Sequence, residues 1–424
     1  MRPVPPDMSF KTSFPLSLFS LLLACTPPAP GPATTPTPTP TPAPPAIDPN
    51  IDPNADADAV AEAKRVTELP HQIVFADRIT YSYVLLLPGS DLSAKPPTRE
   101  ELDLAVRDAF ASNLDDEEVL LLRGLIARPI DESPIDPKAA ASPEEDPDAA
   151  DARRTGDLLG LEIETHARIP VSGPPLIEPR VLDDPDLVRA LGPDERASIP
   201  TRNTLLVLRA QYRNQHGVRG LRLLQTLVRV IAVKRGALIH DPDTLETLGP
   251  VAFAQRRLQT SLGNVADQIP IIPFADPRHP GKFRLSTRGM RRFGSVDLEL
   301  GGLPGDLSVL QQGTYFLHGL ARQMIDLGEF DRTGFAVELP DILTLHYNDC
   351  AAAYAGHSGT LPRCTECPEQ ALLHLVERAP EPQDAVAHVV ARIVAPRSRS
   401  DRGDYDAVAW AQEALDHVLA RPPM

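Results

Sequence analysis

Three cysteines and two histidines in the last fifth of the chain carry the widest choice of chemistry. Cys364 and Cys367 form a C-x-x-C pair, Cys350 lies upstream, and His346 and His357 stand close by in the sequence. A C-x-x-C hairpin sets two thiolates on one metal ion, so Cys350, Cys364 and Cys367 with His346 or His357 have the ligand types of a Cys3His zinc site. Structural zinc usually draws on two such pairs, and only one is present. In an oxidising compartment the same thiols form a disulfide instead, Cys350 with Cys364 or Cys367, and a third thiol is left over. Redox activity of the C-x-x-C is a further alternative, whereas haem attachment is excluded because Pro368 stands where His is required.

Other residue groups offer less. Gly356-His357-Ser358-Gly359 begins like a nucleophile elbow, but Thr360 occupies the place where the second glycine lets the backbone turn. Arg278, His279, Lys282, Arg284, Arg288, Arg291 and Arg292 form a basic run, and Arg288, Arg291 and Arg292 are its candidates for an anionic ligand. Pairing of that run with the acidic surface, or with Asp297 and Glu299 on a neighbouring strand, is the plainer expectation. His240 and Asp241 end a strand, where an Asp-Pro turn accounts for them without chemistry. Metalloprotease, P-loop and Rossmann glycine motifs are missing, as are paired carboxylates at catalytic spacing.

Composition narrows the class further. With 424 residues the chain has room for two domains, and its net charge of −16 argues against nucleic acid as a partner. Its 47 prolines are about twice the usual share, and they gather at the front and in connections. Four cysteines are too few for a disulfide-built scaffold.

Near the front, Lys11 precedes an apolar run from Phe14 to Ala24 that is too short for a permanent bilayer helix, which needs about 20 residues. It has the length of a secretory signal core. Its end, Leu22-Leu23-Ala24-Cys25, resembles the lipobox of bacterial lipoproteins. The resemblance implies that Cys25 is lipidated and becomes the new N-terminus, anchored in a membrane; Thr26 in place of Asp implies the outer rather than the inner membrane. Thr26 to Ala46 reads as an extended polyproline-type tether. At about 3.1 Å per residue it holds a folded body roughly 60 Å from the lipid. The tandem I-D-P-N that follows reads as acidic spacer, since a calcium loop needs a glycine and a terminal Glu that it lacks.

The expected organisation is a signal peptide over 1–24, a tether over 25–60, an α/β domain over 61–200 with an acidic, disordered insertion near 131–157, and an α+β domain over 201–424. Within it we expect strands at Thr80–Leu87, Val119–Arg123, Asn203–Gln211, Ala237–His240, Lys282–Ser286, Val296–Leu300, Asp341–Leu345 and Ala385–Val394. Helices are expected from Thr98, which with Glu101 makes a capping box, and over Val218–Lys234, Asp306–Leu327 and Tyr405–Leu419. The two strand-helix-strand blocks suggest an α+β fold with mixed sheets and a duplicated ferredoxin-like plan.

Thr287-Arg-Gly289-Met-Arg-Arg-Phe293-Gly294-Ser-Val-Asp297-Leu298-Glu299 resembles a T-x-G-x-x-x-F-G-x-x-D-L-E segment of bacterial families of unknown function. The resemblance spans about Asn203 to Leu345 and implies a mixed α/β fold without implying an activity. The expectation is a lipid-anchored envelope protein acting as a binding or structural module, with an envelope protein or anionic ligand as partner. Its rival is a metal-dependent or thiol-based enzyme built around Cys350, Cys364 and Cys367.

Overall fold

The computed structural model describes residues 75 and 78–419, apart from 90–94, 115, 127, 131–157, 214–217, 259–264, 329–338, 355–360, 366, 368, 382–383 and 385–387. The signal run, Cys25, the tether, the acidic insertion and the Gly356–Gly359 turn with His357 therefore lie outside the described residues.

Strand β1 (Ile79–Leu87) reads as a nearly continuous apolar run because both of its faces are covered. Tyr81, Tyr83 and Leu85 enter the main core, while Val84 and Leu86 enter a smaller one with Ile177, Val181, Val188 and Ile199. Helix α1 (Arg99–Ala109) starts at the expected box: Glu101 N–H donates to Thr98 Oγ1 at 3.2 Å and Thr98 N–H to Glu101 Oε2 at 3.0 Å.

The strand expected at Val119–Arg123 is instead part of helix α2 (Glu117–Ile126). Asp116 Oδ1 accepts from Glu118 N–H at 2.9 Å, two glutamates fill the first turn, and Val119, Leu122 and Ile126 fall on one buried face. The strand of this block is β2 (Leu158–Ala167), beyond the acidic stretch. Strand β3 (Thr204–Tyr212), helix α3 (Arg219–Arg235), strand β4 (Leu238–His240) and the two-residue β5 (Thr247–Leu248) follow. On α3, Leu221, Leu224, Val228 and Ile231 are buried as their spacing predicts.

The five strands order as β2-β3-β1-β4-β5, all pairs antiparallel. The two blocks thus interleave in one sheet, with β3 between β1 and β2 and β1 between β3 and β4, the split β-α-β arrangement. Strands before and after residue 200 share this sheet, and Pro70–Met424 form one compact unit.

The second sheet contains β6 (Ile271–Ala275), β7 (Phe283–Thr287), β8 (Asp297–Leu303), β9 (Leu343–His346), β10 (Gln370–Arg378) and β11 (Val390–Val394). Its order is β6-β7-β8-β11-β10-β9, antiparallel except for the central β8/β11 pair. This order differs from the first sheet's, so the fold is α+β with two unlike sheets. Helix α4 (Leu307–Leu327) is capped by Asp306, whose carboxylate accepts from Ser308 and Val309 N–H. It packs on one face with α5 (Ala407–Leu419), which carries the buried Trp410. Alternation along β8 sends Leu298 and Leu300 into the core and leaves Asp297 and Glu299 on the opposite face. Among the described residues no helix is long and apolar enough to cross a membrane.

Candidate functional site

The segment Thr287–Glu299 forms the corner between β7 and β8, and several of its residues have a local task. Gly289 at φ 102° and Gly294 at φ 71° bracket a single 3-10 turn, Met290–Phe293, in conformations that a side chain resists. Thr287 Oγ1 donates to Asp297 Oδ1 at 2.9 Å and accepts from Leu298 N–H at 2.8 Å, closing the corner. Met290 N–H donates to the same carboxylate oxygen at 3.1 Å. Phe293 and Leu298 are core residues, and Asp297 and Glu299 each hold a cluster of charges.

The first cluster joins this corner to the first sheet. Arg292 is fully buried and donates from Nη1 and Nη2 to the two carboxylate oxygens of Asp241 at 3.0 and 2.9 Å, and from Nη2 to Tyr81 Oη at 2.9 Å. Tyr81 donates its hydroxyl to Asp241 at 2.7 Å, and its ring lies 4.9 Å from the guanidinium. Tyr212, on the neighbouring β3, donates to the Arg292 carbonyl at 2.7 Å. Asp241 sits there because β4 ends at His240 and the Asp-Pro turn folds back on it, with Asp243 N–H donating to Asp241 Oδ1 at 3.1 Å. Arg257 adds a further cation, 3.2 Å from Glu246 and 3.6 Å from Asp241.

Next to it, Asp243 pairs with Arg291 and lies 3.5 Å from His388 Nε2, while His388 Nδ1 is 2.6 Å from Asp297 Oδ2. His388 is therefore clamped between carboxylates of two chain segments. Burial by itself would lower its pKa, but the neighbouring carboxylates of Asp243 and Asp297 raise it to about 9. At neutral pH it is a cation and no proton acceptor. For Asp241 burial acts upward, yet Arg292, Arg257 and the hydrogen bonds together hold the carboxyl well below the usual range. Burial pushes His240, whose Nδ1 lies 3.1 Å from Thr247 Oγ1, down to about 4.

The second cluster lies two residues along β8. Glu299 accepts from Arg284 at 2.6 Å, from Arg378 at 3.0 Å and from Arg392 at 3.0 Å, all from strands of the second sheet. Arg378 also grips Asp384 through two bonds of 2.7 Å, and Arg284 lies 2.6 Å from Glu381. Burial raises the Glu299 pKa, against the pull of Arg378 and Arg284.

The expected candidates separate accordingly. Arg292 and Arg291 are consumed by carboxylates, and Arg288 is half-buried and has a partner, so the three do not share one open face. Cys364 is bonded to Cys367, which corrects the expected pairing with Cys350; Cys350 is a free, buried thiol. Glycine at 319 lets α4 press on Cys350: an added Cβ would lie 2.7 Å from its Sγ. His346 starts the short helix Tyr347–Ala352, its N–H donating to Asp349. Among the described residues no group of three or more His, Cys, Asp or Glu is arranged to hold a metal ion. Asp243, Asp297 and His388 were not candidates from sequence; Asp297 was visible only as a partner for the basic run, and His388 carries no motif.

Surface grooves lie away from both clusters. One of about 420 Å³ is lined by Arg99, Asp103, Arg107 and Arg123 on α1 and α2. Another, of about 290 Å³, runs beside Ala371, Leu372, Arg399 and Trp410. The buried charges thus hold segments together, and these grooves are lined by other residues. No protein-family model, no curated protein and no solved structure matches this chain.

Proposed function

We propose that this chain is a bacterial lipoprotein of the cell envelope, with the outer membrane favoured, whose α+β body acts as a binding or structural module. The observation that carries the reading is the apolar run ending at Leu22-Leu23-Ala24-Cys25, followed at once by the Pro/Thr segment to Ala46. A thiol at that junction is the atom a lipid can be joined to, and a proline-rich chain cannot bury enough surface to fold back on itself. The body supports the reading in two ways. Its Cys364–Cys367 disulfide suits an oxidising compartment. Its buried charges are matched to one another, which favours holding shape over turnover, and leaves recognition of an envelope protein or an anionic ligand to the surface.

Radiolabelled palmitate and membrane fractionation test this directly. Label is expected on the native chain and absent from Cys25→Ala, which should leave the membrane fraction. A variant that sediments with membranes as firmly as the native chain, together with no label on the latter, would overturn the reading.

A further inference from the structure

Neither charge cluster uses the C-x-x-C pair. We propose that the Cys364–Cys367 disulfide is an exchange site that oxidises a dithiol, meaning a peptide or protein with two reduced cysteines. Its placement carries the argument. Both cysteines are half-buried, and Arg363 and Thr365 on either side of Cys364 are exposed, so an incoming thiolate can approach Cys364. The bond joins residues three apart in the chain, so it ties no distant elements together.

The segment is held by other means. The Asn348 side chain donates to the Cys364 carbonyl at 2.8 Å and accepts from the Cys364 N–H at 3.0 Å. These two bonds do not involve sulfur, so they keep the Cys364 backbone on the helix Tyr347–Ala352 when the disulfide opens. The third thiol, Cys350, is buried under Gly319. Burial also pushes that thiol well above its ordinary value, so it stays protonated and does not intercept the exchange.

The exchange balances without another reagent. One thiolate of the partner attacks a sulfur of the pair, the S–S bond breaks, and the released cysteine takes up a proton. The partner's second thiolate then attacks its own sulfur in the mixed disulfide, and the other cysteine leaves and is protonated. Two electrons and two protons pass from the partner to Cys364 and Cys367. The reverse reaction with a more oxidising disulfide restores the pair.

The test uses the purified native chain equilibrated with reduced and oxidised glutathione over a wide range of ratios, then acid-quenched, alkylated and read by peptide mass. The pair is expected to become reduced while oxidised glutathione is still present, with a glutathione adduct on Cys364 or Cys367. Thermal unfolding of the reduced protein should shift by no more than about 2 °C. A pair that stays oxidised throughout, as structural disulfides do, or a fall of about 10 °C on reduction, overturns the proposal. Because the two Asn348 bonds are kept in both redox states, Asn348→Ala should leave the half-reduction ratio unchanged within about twofold; a shift of about fivefold or more, the equivalent of one net hydrogen bond, would mean that the bonds are lost on reduction and overturns the anchoring on which the site depends. None of these readouts depends on lipid at Cys25, so the outcome is separate from that of the palmitate experiment.

Discussion

His388 gives the sharpest quantitative prediction. Its imidazolium faces Asp297 at 2.6 Å and Asp243 at 3.5 Å, and Asp243 in turn holds Arg291. The folded pKa is about 9 against an ordinary 6.5, so between these values the native state binds a proton that the unfolded chain has released. Stability from this group is therefore complete below pH 6.5 and is lost as pH rises through 9. At about 1.4 kcal/mol per pKa unit the loss is roughly 3 kcal/mol. Urea unfolding of the native chain and of His388→Gln at constant ionic strength, from pH 6 to pH 10, measures it. The native curve should fall by this amount relative to the variant's, because tyrosine, lysine and other shared titrations cancel in the difference. Parallel curves across that range would refute the clamp, as they would mean that His388 titrates alike in the folded and unfolded states.

Two other substitutions probe the corner. Arg292→Met strands Asp241 without its main counter-ion and should cost about 3–5 kcal/mol in urea unfolding; adding Asp241→Asn should cost at least about 1 kcal/mol less than the two single effects summed, and strict additivity would show that the pair is not coupled. Gly289→Ala meets both a φ of 102° and Arg292 Nη2 at 3.0 Å, so it should destabilise by about 2–4 kcal/mol. Gly281→Ala, at φ 77° with open space around it, should cost only about 1 kcal/mol, and equal losses at the two sites would remove the packing argument.

Elements with one apolar stripe at their own period were legible from sequence. Helices α1, α3, α4 and α5 start and stop within a few residues of their caps and spacing, as Thr98, Gly236 and Asp306 show. Strands β1, β3, β7 and β8 were visible as β-rich runs. Helix α2 was not, because Val119-Leu-Leu-Leu122 is a short continuous apolar run, and periodicity does not tell such a run in a helix from one in a buried strand. Strand β2 adjoins the acidic stretch, which masked its alternation, and β10 directly follows the cysteine segment. The strand expected at Ala385–Val394 begins at Val390, with 385–387 outside the described residues. The site was harder still. Arg291 and Arg292 are neighbours in one turn, and what separates a half-exposed cation from a fully buried one is Asp241, 51 residues earlier, and Tyr81, 211 residues earlier. No local spacing encodes contacts at such range.

Those long-range contacts explain why charges, rather than apolar side chains, fill this part of the interior. A buried ion pair adds little net stability over a well-packed apolar substitute, so burial alone gives no reason to keep Arg292 and Asp241. What the pair adds is selectivity among packings. Arg292 satisfies its donors only when the 3-10 turn sits against Tyr81 of β1 and the Asp241 turn after β4, and a slipped arrangement leaves a charge unmatched. The D-L-E of β8 extends the same logic, since its two carboxylates project on one face, Asp297 gripping the His388 clamp and Glu299 collecting three arginines from β7, β10 and β11. One short strand thereby registers both sheets, and the residues from Thr287 to Glu299 serve the geometry of this corner. Residues engaged in such registration are committed to one another, and the grooves and the cysteine segment lie outside that network.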